Sequence, residues 1–229
     1  NAGDLANVIY HENAHLITMY AYYPEDASSV FHEAFSDYFA ASLVDTSVIG
    51  RDFLGEGTHL RDLENDLTWP ITDPHCAEDP HCVGQLLGGA LWQIRQGLIA
   101  SFGDQETGVD AADRLSHFMR AGRPQAYRDC VLHLLIQDDD DGDLANGTPH
   151  LDLITSAFEE RNLGDLDLRF AHEPLLDTES TMTPFGLDLE LAAVYPIIDG
   201  SVRIAYRTNG GRYVIEPLEA VDAFSYRYT

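Results

Sequence analysis

Residues 4–20 read DLANVIYHENAHLITMY and residues 28–44 read SSVFHEAFSDYFAASLV. In the first stretch Leu5, Val8, Ile9, Leu16 and Met19 recur at helical spacing behind a capping residue at Asp4, which predicts a helix. The second follows the break at Pro24 and predicts another helix, capped by Ser28 or Ser29. His11 and His15 stand four residues apart, so on a helix both imidazoles leave one face and can chelate a single ion. Glu12 lies between them, where its carboxylate can reach a water beside that ion. Two histidines leave a tetrahedral zinc one protein ligand short if one position stays open. Glu33 on the second helix supplies it. Asp37, one turn further along the same face, can accept the second ring N–H of a liganding histidine and so fix its tautomer. Either pattern alone would equally describe solvated helix residues, whereas both together at this spacing point to a metal centre.

His-Glu-x-x-His followed by Glu-x-x-x-Asp resembles the gluzincin metallopeptidases. Residues 32–40, HEAFSDYFA, are similar to the Asn-Glu-Ala-x-Ser-Asp-x-Phe-Gly segment of the thermolysin family, with His32 in place of the Asn and Ala40 in place of the Gly. Residues 79–94, DPHCVGQLLGGALWQI, resemble the place where thermolysin-like enzymes set a histidine just before a helix opening on glycine. By that likeness His81 corresponds to the histidine that donates to the oxyanion of the tetrahedral intermediate. The family has an Asp five residues before that histidine, where this chain has Cys76, so Asp79 and Glu78 are the candidates to orient His81. Fungalysin-like relatives are similar here as well, with Arg61 to Asn65 (RDLEN) upstream and Ala90-Leu91-Trp92 within the helix. The resemblance implies zinc held by His11, His15 and Glu33, Glu12 as general base, and endopeptidase activity on protein or peptide substrates.

The 229 residues suffice for one large domain or a medium and a small one. Helical patterns return at 84–102, 110–122 and 124–137, and again at 148–162, where Thr148 can cap and Pro149 suits the first helical position. Residues 50–82, rich in Gly, Pro, Asp and His, are expected to be long loops. From about Asp165 the pattern changes to short alternating runs (LDLELAAVY, SVRIAYRT, RYVIEPL) divided by Pro196, Asp199-Gly200 and Asn209-Gly210-Gly211. The expected architecture is therefore a mainly α catalytic lobe of thermolysin-like (zincin) fold over 1–164. A small β-sandwich-like accessory module follows over 165–229, with room for only an incomplete sandwich. Thermolysin-like folds carry a β lobe before the metal-binding helix, and that lobe is absent from this sequence. The expectation is that a longer precursor or a second chain supplies it.

The net charge of -26, with 13 Arg and no Lys, disfavours a nucleic-acid partner. A solvated surface, calcium binding and a salty exterior all fit it. No run approaches the ~18 apolar residues of a membrane span. Cys76 and Cys82 are close enough for a disulfide loop in an oxidising compartment, with Cys130 left as a buried thiol. A separate zinc site of His75, Cys76, His81 and Cys82 is the poorly spaced rival. Any leader peptide lies outside the sequence, and the expected location is extracellular. In the run Asp138, Asp139, Asp140, Asp141, Gly142, Asp143, an EF-hand register would put Gln137 first and Thr148 twelfth, which excludes an EF-hand. An irregular calcium loop and a solvated acidic turn both remain. LANGTPH after it is similar to a motif of large bacterial secreted metallopeptidases, with no role assigned to His150. Two other classes stay open: a zinc aminopeptidase, although no Gly-x-Met-Glu-Asn-like segment is present, and a non-catalytic binding module on a decayed scaffold, against which Glu12 speaks.

Overall fold

The computed structural model describes residues 2–163 and, beyond them, 168–172, 186–193, 200, 202–206, 214–221 and 225–228. The chain divides into two units, Asn1–Gly164 and Asp165–Thr229.

In the first unit α1 (Ala2–Tyr22) and α2 (Ser29–Val44) form a helical hairpin. α1 begins before the anticipated cap, so Asp4 lies within its first turn. Its buried stripe also differs from the apolar pattern of the sequence. Asn7, His11, Ala14, Thr18 and Tyr22 face inward, whereas Ile9, Leu16 and Met19 are about half exposed, at 54%, 52% and 47%. The spacing of seven, eleven, fourteen, eighteen and twenty-two is equally helical; the polar members are buried because each has a partner inside. Asn7 illustrates this: its Nδ2 donates to the Val48 carbonyl at 3.0 Å and its Oδ1 accepts from the Gly50 amide at 3.3 Å.

α2 starts at Ser28, whose hydroxyl accepts from the Phe31 amide, and ends in a left-handed residue, Asp45 (φ 53°). It buries Phe31, Ala34, Phe35, Tyr38 and Ala41 and is the central element. Two residues just before the predicted loop region, β1 (Val48–Ile49), pair with two inside it, β2 (Arg61–Asp62), antiparallel with Ile49 opposite Arg61. A single turn, α3 (Pro74–Ala77), precedes α4 (Pro80–Phe102). α4 opens earlier than Gly84 because Asp79 caps it, accepting from the His81 amide, and Pro80 takes the first position. His81 therefore sits inside the first turn rather than before the helix. α5 (Gln105–Ala121) and α6 (Tyr127–Asp138) follow. α7 (Leu151–Glu159) starts three residues later than Thr148, because Asp138 captures the Thr148 hydroxyl and the His150 amide, each at 2.7 Å.

Gly84 controls how closely α4 approaches α2. A Cβ there would stand 3.1 Å from the Ala34 amide and 3.2 Å from the Glu33 Cβ, so the two helices meet at glycine contact beside Glu33. The disulfide Cys76–Cys82 ties α3 to the first turn of α4. Cys130 is a buried free thiol, its pKa pushed up by that burial.

In the second unit β3 (Leu168–His172), β4 (Leu187–Ala193), β8 (Ser225–Tyr228) and β7 (Glu219–Ala220) form an antiparallel sheet in the order β3-β4-β8-β7. β5 (Arg203–Tyr206) and β6 (Val214–Pro217) form a separate antiparallel pair. Leu189, Leu218 and Tyr226 make a small core, against which Leu187, Val202, Ile204 and Tyr228 pack. The unit is thus a small antiparallel β module. The turn signals at Pro196, Asp199 and 209–211 lie outside the described residues.

Candidate metal centre

The hairpin brings the two sequence motifs face to face. His11 Nε2 and His15 Nε2 stand 3.2 Å apart, and Glu33 Oε2 lies 3.1 Å from the first while Oε1 lies 3.8 Å from the second. The ligand atoms of these three residues all fall within 4.8 Å of one another. Two nitrogens bound to one tetrahedral zinc at about 2.0–2.1 Å would be roughly 3.3 Å apart, so the spacing suits a shared ion. Glu33 Oε2 is buried without a hydrogen-bond partner, although it touches His11 Nε2 and His81 Nε2 at 3.1 and 3.2 Å. A buried carboxylate oxygen facing imidazole nitrogens without a shared proton needs a cation to satisfy it. The donor set of two imidazoles and one carboxylate fits zinc.

The surrounding groups settle how each imidazole presents itself. Asp37 is fully buried; its Oδ1 lies 2.7 Å from His11 Nδ1, and Arg61 forks onto both oxygens, with Nε 2.6 Å from Oδ2 and Nη2 2.8 Å from Oδ1. Burial works most strongly against ionisation of Asp37, yet the Arg61 and His11 hydrogen bonds outweigh it and hold the carboxyl below its ordinary range. As an ionised carboxylate only accepts, His11 carries its proton on Nδ1 and turns a lone pair at Nε2 toward Glu33. Burial likewise keeps the His15 imidazole below its usual pKa, which favours the neutral, ligating form.

His15 Nδ1 has two neighbours, Ser36 Oγ at 3.2 Å and His32 Nδ1 at 3.4 Å. His32 Nε2 in turn lies 2.8 Å from Asp26 Oδ1, and this hydrogen bond draws the Asp26 carboxyl below its usual pKa. His32 thus donates from Nε2 to Asp26 and sets its Nδ1 beside His15 Nδ1. His32, where the segment it resembles has Asn, has a partner in Asp26.

Glu12 is exposed beside this cluster, and its charge acts on His15. His81 Nδ1 lies 3.1 Å from Asp79 Oδ1, which makes Asp79, rather than Glu78, its orienting carboxylate. Burial raises the Asp79 carboxyl, but the His81 amide and ring outweigh it and hold it below its usual range. His81 stacks 6.3 Å from His11, close enough to the centre for its Nε2 to touch Glu33. Arg61 is the group that sequence reading did not assign. Its pairing with Asp37 spans 24 residues and becomes visible only in the fold, where β2 pairs with β1.

The acidic run divides. Asp138 is committed to Thr148 and to His150, whose Nδ1 lies 2.7 Å away. Asp139, Asp140 and Asp141 come within 4.8 Å of one another, while Asp141 also accepts from Asn146 and from the Asp143 amide. Asp143 is outside that group.

No protein-family model, curated protein or solved structure matches this chain. Among the described residues no helix is long and apolar enough to cross a membrane.

Proposed function

We propose that residues 1–164 form the metal-holding helical lobe of a thermolysin-like gluzincin, a zinc endopeptidase acting on protein or peptide chains. The observation that carries this reading is the convergence of His11, His15 and Glu33 on one point, with Glu33 Oε2 buried and unpartnered. These three residues would hold the ion. When bound, zinc supplies Lewis acidity, which withdraws charge from a scissile carbonyl and makes water easier to deprotonate.

The remaining work falls to the chain itself. Glu12 is three residues before His15 and faces solvent, so it can accept the proton of the attacking water at its carboxylate and return it to the leaving amine nitrogen. His81, with Nδ1–H held by Asp79, has its Nε2 directed to the centre and would donate there to the carbonyl oxygen as negative charge develops. Asp37 keeps the His11 tautomer, and Arg61 keeps Asp37 ionised. The disulfide fits an oxidising, extracellular setting, and the β module would serve as an accessory unit.

Zinc stoichiometry and cleavage of an unfolded protein, measured with and without chelator, test the reading. One zinc per chain with chelator-sensitive cleavage is expected; a chain that binds no zinc refutes it.

A further inference from the structure

A second feature lies on the face of α2 opposite Glu33. A cleft of about 220 Å³ runs between α2 and α5, floored by Phe35, Phe39 and Leu43 on one side and by Ser116, His117 and Arg120 on the other. The cavity is smaller than the about 300–1,000 Å³ of drug-sized sites, so its occupant is small.

Arg120 makes this more than a surface dent. It is only 4% exposed, and its single hydrogen bond among the described residues runs from Nη2 to His117 Nδ1 at 3.1 Å. No carboxylate acts on it: burial depresses its pKa, and the one group that opposes this is the Tyr22 phenol. The other inward-facing arginines each hold a carboxylate, an amide oxygen or a backbone carbonyl, although Arg95 Nε and Arg161 Nε are buried without a partner. Arg61 has Asp37, Arg95 has Asp45 at 2.6 Å, and Arg161 donates to Asn65 and to the Leu67 carbonyl. Arg120 is therefore a largely buried guanidinium at the wall of the cleft, with N–H groups that make no further hydrogen bond among the described residues. An unpaired buried charge is costly, and a guanidinium is shaped to take a carboxylate in a fork.

The cleft also contains one acid, Asp113, which must be placed before an anion is assigned. Asp113 accepts from the Ser42 hydroxyl at 2.6 Å and the Tyr38 hydroxyl at 3.1 Å through Oδ1. It stands two turns of α5 from Arg120, a rise of about 10 Å. The cationic and acidic ends are thus separate, with Ser116 and His117 between them along α5.

We propose that this cleft binds a small monocarboxylate with an apolar body. The carboxylate takes the free N–H groups of Arg120, and the hydrocarbon lies against Phe35, Phe39 and Leu43. This inference is independent of the metal centre and stands whether or not the chain is a peptidase.

Hexanoate is the probe, titrated into the full chain by calorimetry and by thermal shift, with acetate and hexan-1-ol as controls. Saturable binding of one hexanoate per chain is expected, with acetate and hexanol each at least about tenfold weaker, since a charge-assisted hydrogen bond and a buried alkyl chain each contribute at that level. Arg120→Gln should weaken hexanoate by about tenfold or more. Because a buried arginine variant can fail to fold, Leu43→Asp at a 53% exposed position provides the second arm: it should retain the wild-type melting temperature yet replace the apolar contact to the hydrocarbon with a charge and so weaken hexanoate. Hexanoate binding no tighter than acetate or hexanol overturns the proposal. So does wild-type hexanoate affinity in Leu43→Asp.

Discussion

Replacing Asp37 with Asn separates what this carboxylate does for the fold from what it does for the metal. In the wild-type chain Asp37 has three contacts between 2.6 and 2.8 Å, two from Arg61 and one from His11. The Asn side chain keeps one oxygen, enough for the His11 Nδ1–H, but turns an NH₂ group toward the Arg61 fork. Two donors then face each other, and a half-buried guanidinium loses its counter-charge. Breaking one partner of a buried pair costs about 3–5 kcal/mol, a large share of the about 5–15 kcal/mol that holds a domain together. At roughly 2–4 °C per kcal/mol for a domain of this size, the melting temperature of the metal-free chain should fall by roughly 6–20 °C. Zinc affinity should fall by a further 10–100-fold, as the His11 ring loses its charged anchor. The sign with pH follows from the lowered Asp37 pKa. Its contribution is complete above the unfolded value of about 3.9 and is lost as pH falls through the lower folded value. The Asn variant should therefore show a flatter acid limb than the wild type. Denaturation of both chains between neutral and acid pH, with chelator-competition measurement of zinc affinity, is the assay. Equal stability and equal zinc affinity in the two chains would refute the role given to Asp37.

Three further outcomes are expected at the same centre. Glu12→Gln should keep one zinc per chain while hydrolysis falls by roughly 10²–10⁴-fold, and parallel loss of metal and activity would make Glu12 a ligand instead. His81→Ala should retain zinc and lose roughly 10²–10³ in kcat with little change in KM; unchanged turnover would return His81 to a surface role. His32→Ala should weaken zinc by about tenfold or more through loss of the ring beside His15 Nδ1, and His32→Asn should restore it. If Ser36→Ala has that effect and His32→Ala does not, the Asp26–His32–His15 chain is the wrong one.

The helices and the clustering of His11, His15 and Glu33 were legible because both depend on local spacing. His11 and His15 share a face by helical periodicity alone, and the same holds for Glu33 and Asp37; pairing the two faces needed only a short connection between neighbouring helices. What periodicity got wrong was which face of α1 is buried. Ile9, Leu16 and Met19 carry the apolar signal yet are half exposed, while Asn7, His11 and Thr18 are inside. The inner face is chosen by partners distant in sequence, Val48, Asp37 and Glu33 among them, and a window of α1 contains none of these. The start of α7 was misplaced for a similar reason, since the competing acceptor for Thr148 and His150 is Asp138, at the end of the preceding helix.

The same distinction explains why Arg61 and His32 were overlooked and why they matter. A ligand must be a particular chemical type, so His-Glu-x-x-His announces itself. An orienting group need only supply a donor or acceptor at the right distance, and many residue types can do so. Arg61 reaches Asp37 across 24 residues and His32 reaches His15 across 17, each by a packing arrangement that local pattern does not record. Both nevertheless bear on what the proposed zinc site would require: each imidazole that holds the ion must be neutral, with its proton on Nδ1 and its lone pair at Nε2. For His11 the tautomer follows from the arginine-held carboxylate at its Nδ1, and for His15 the neighbour at Nδ1 is the His32 ring held by Asp26. Two chemically different groups thus stand at the two Nδ1 atoms. Loss of the Asp37 anchor should therefore also destabilise the fold, because it leaves a charge unpaired, whereas loss of the His32 ring should weaken metal binding with a much smaller change in stability.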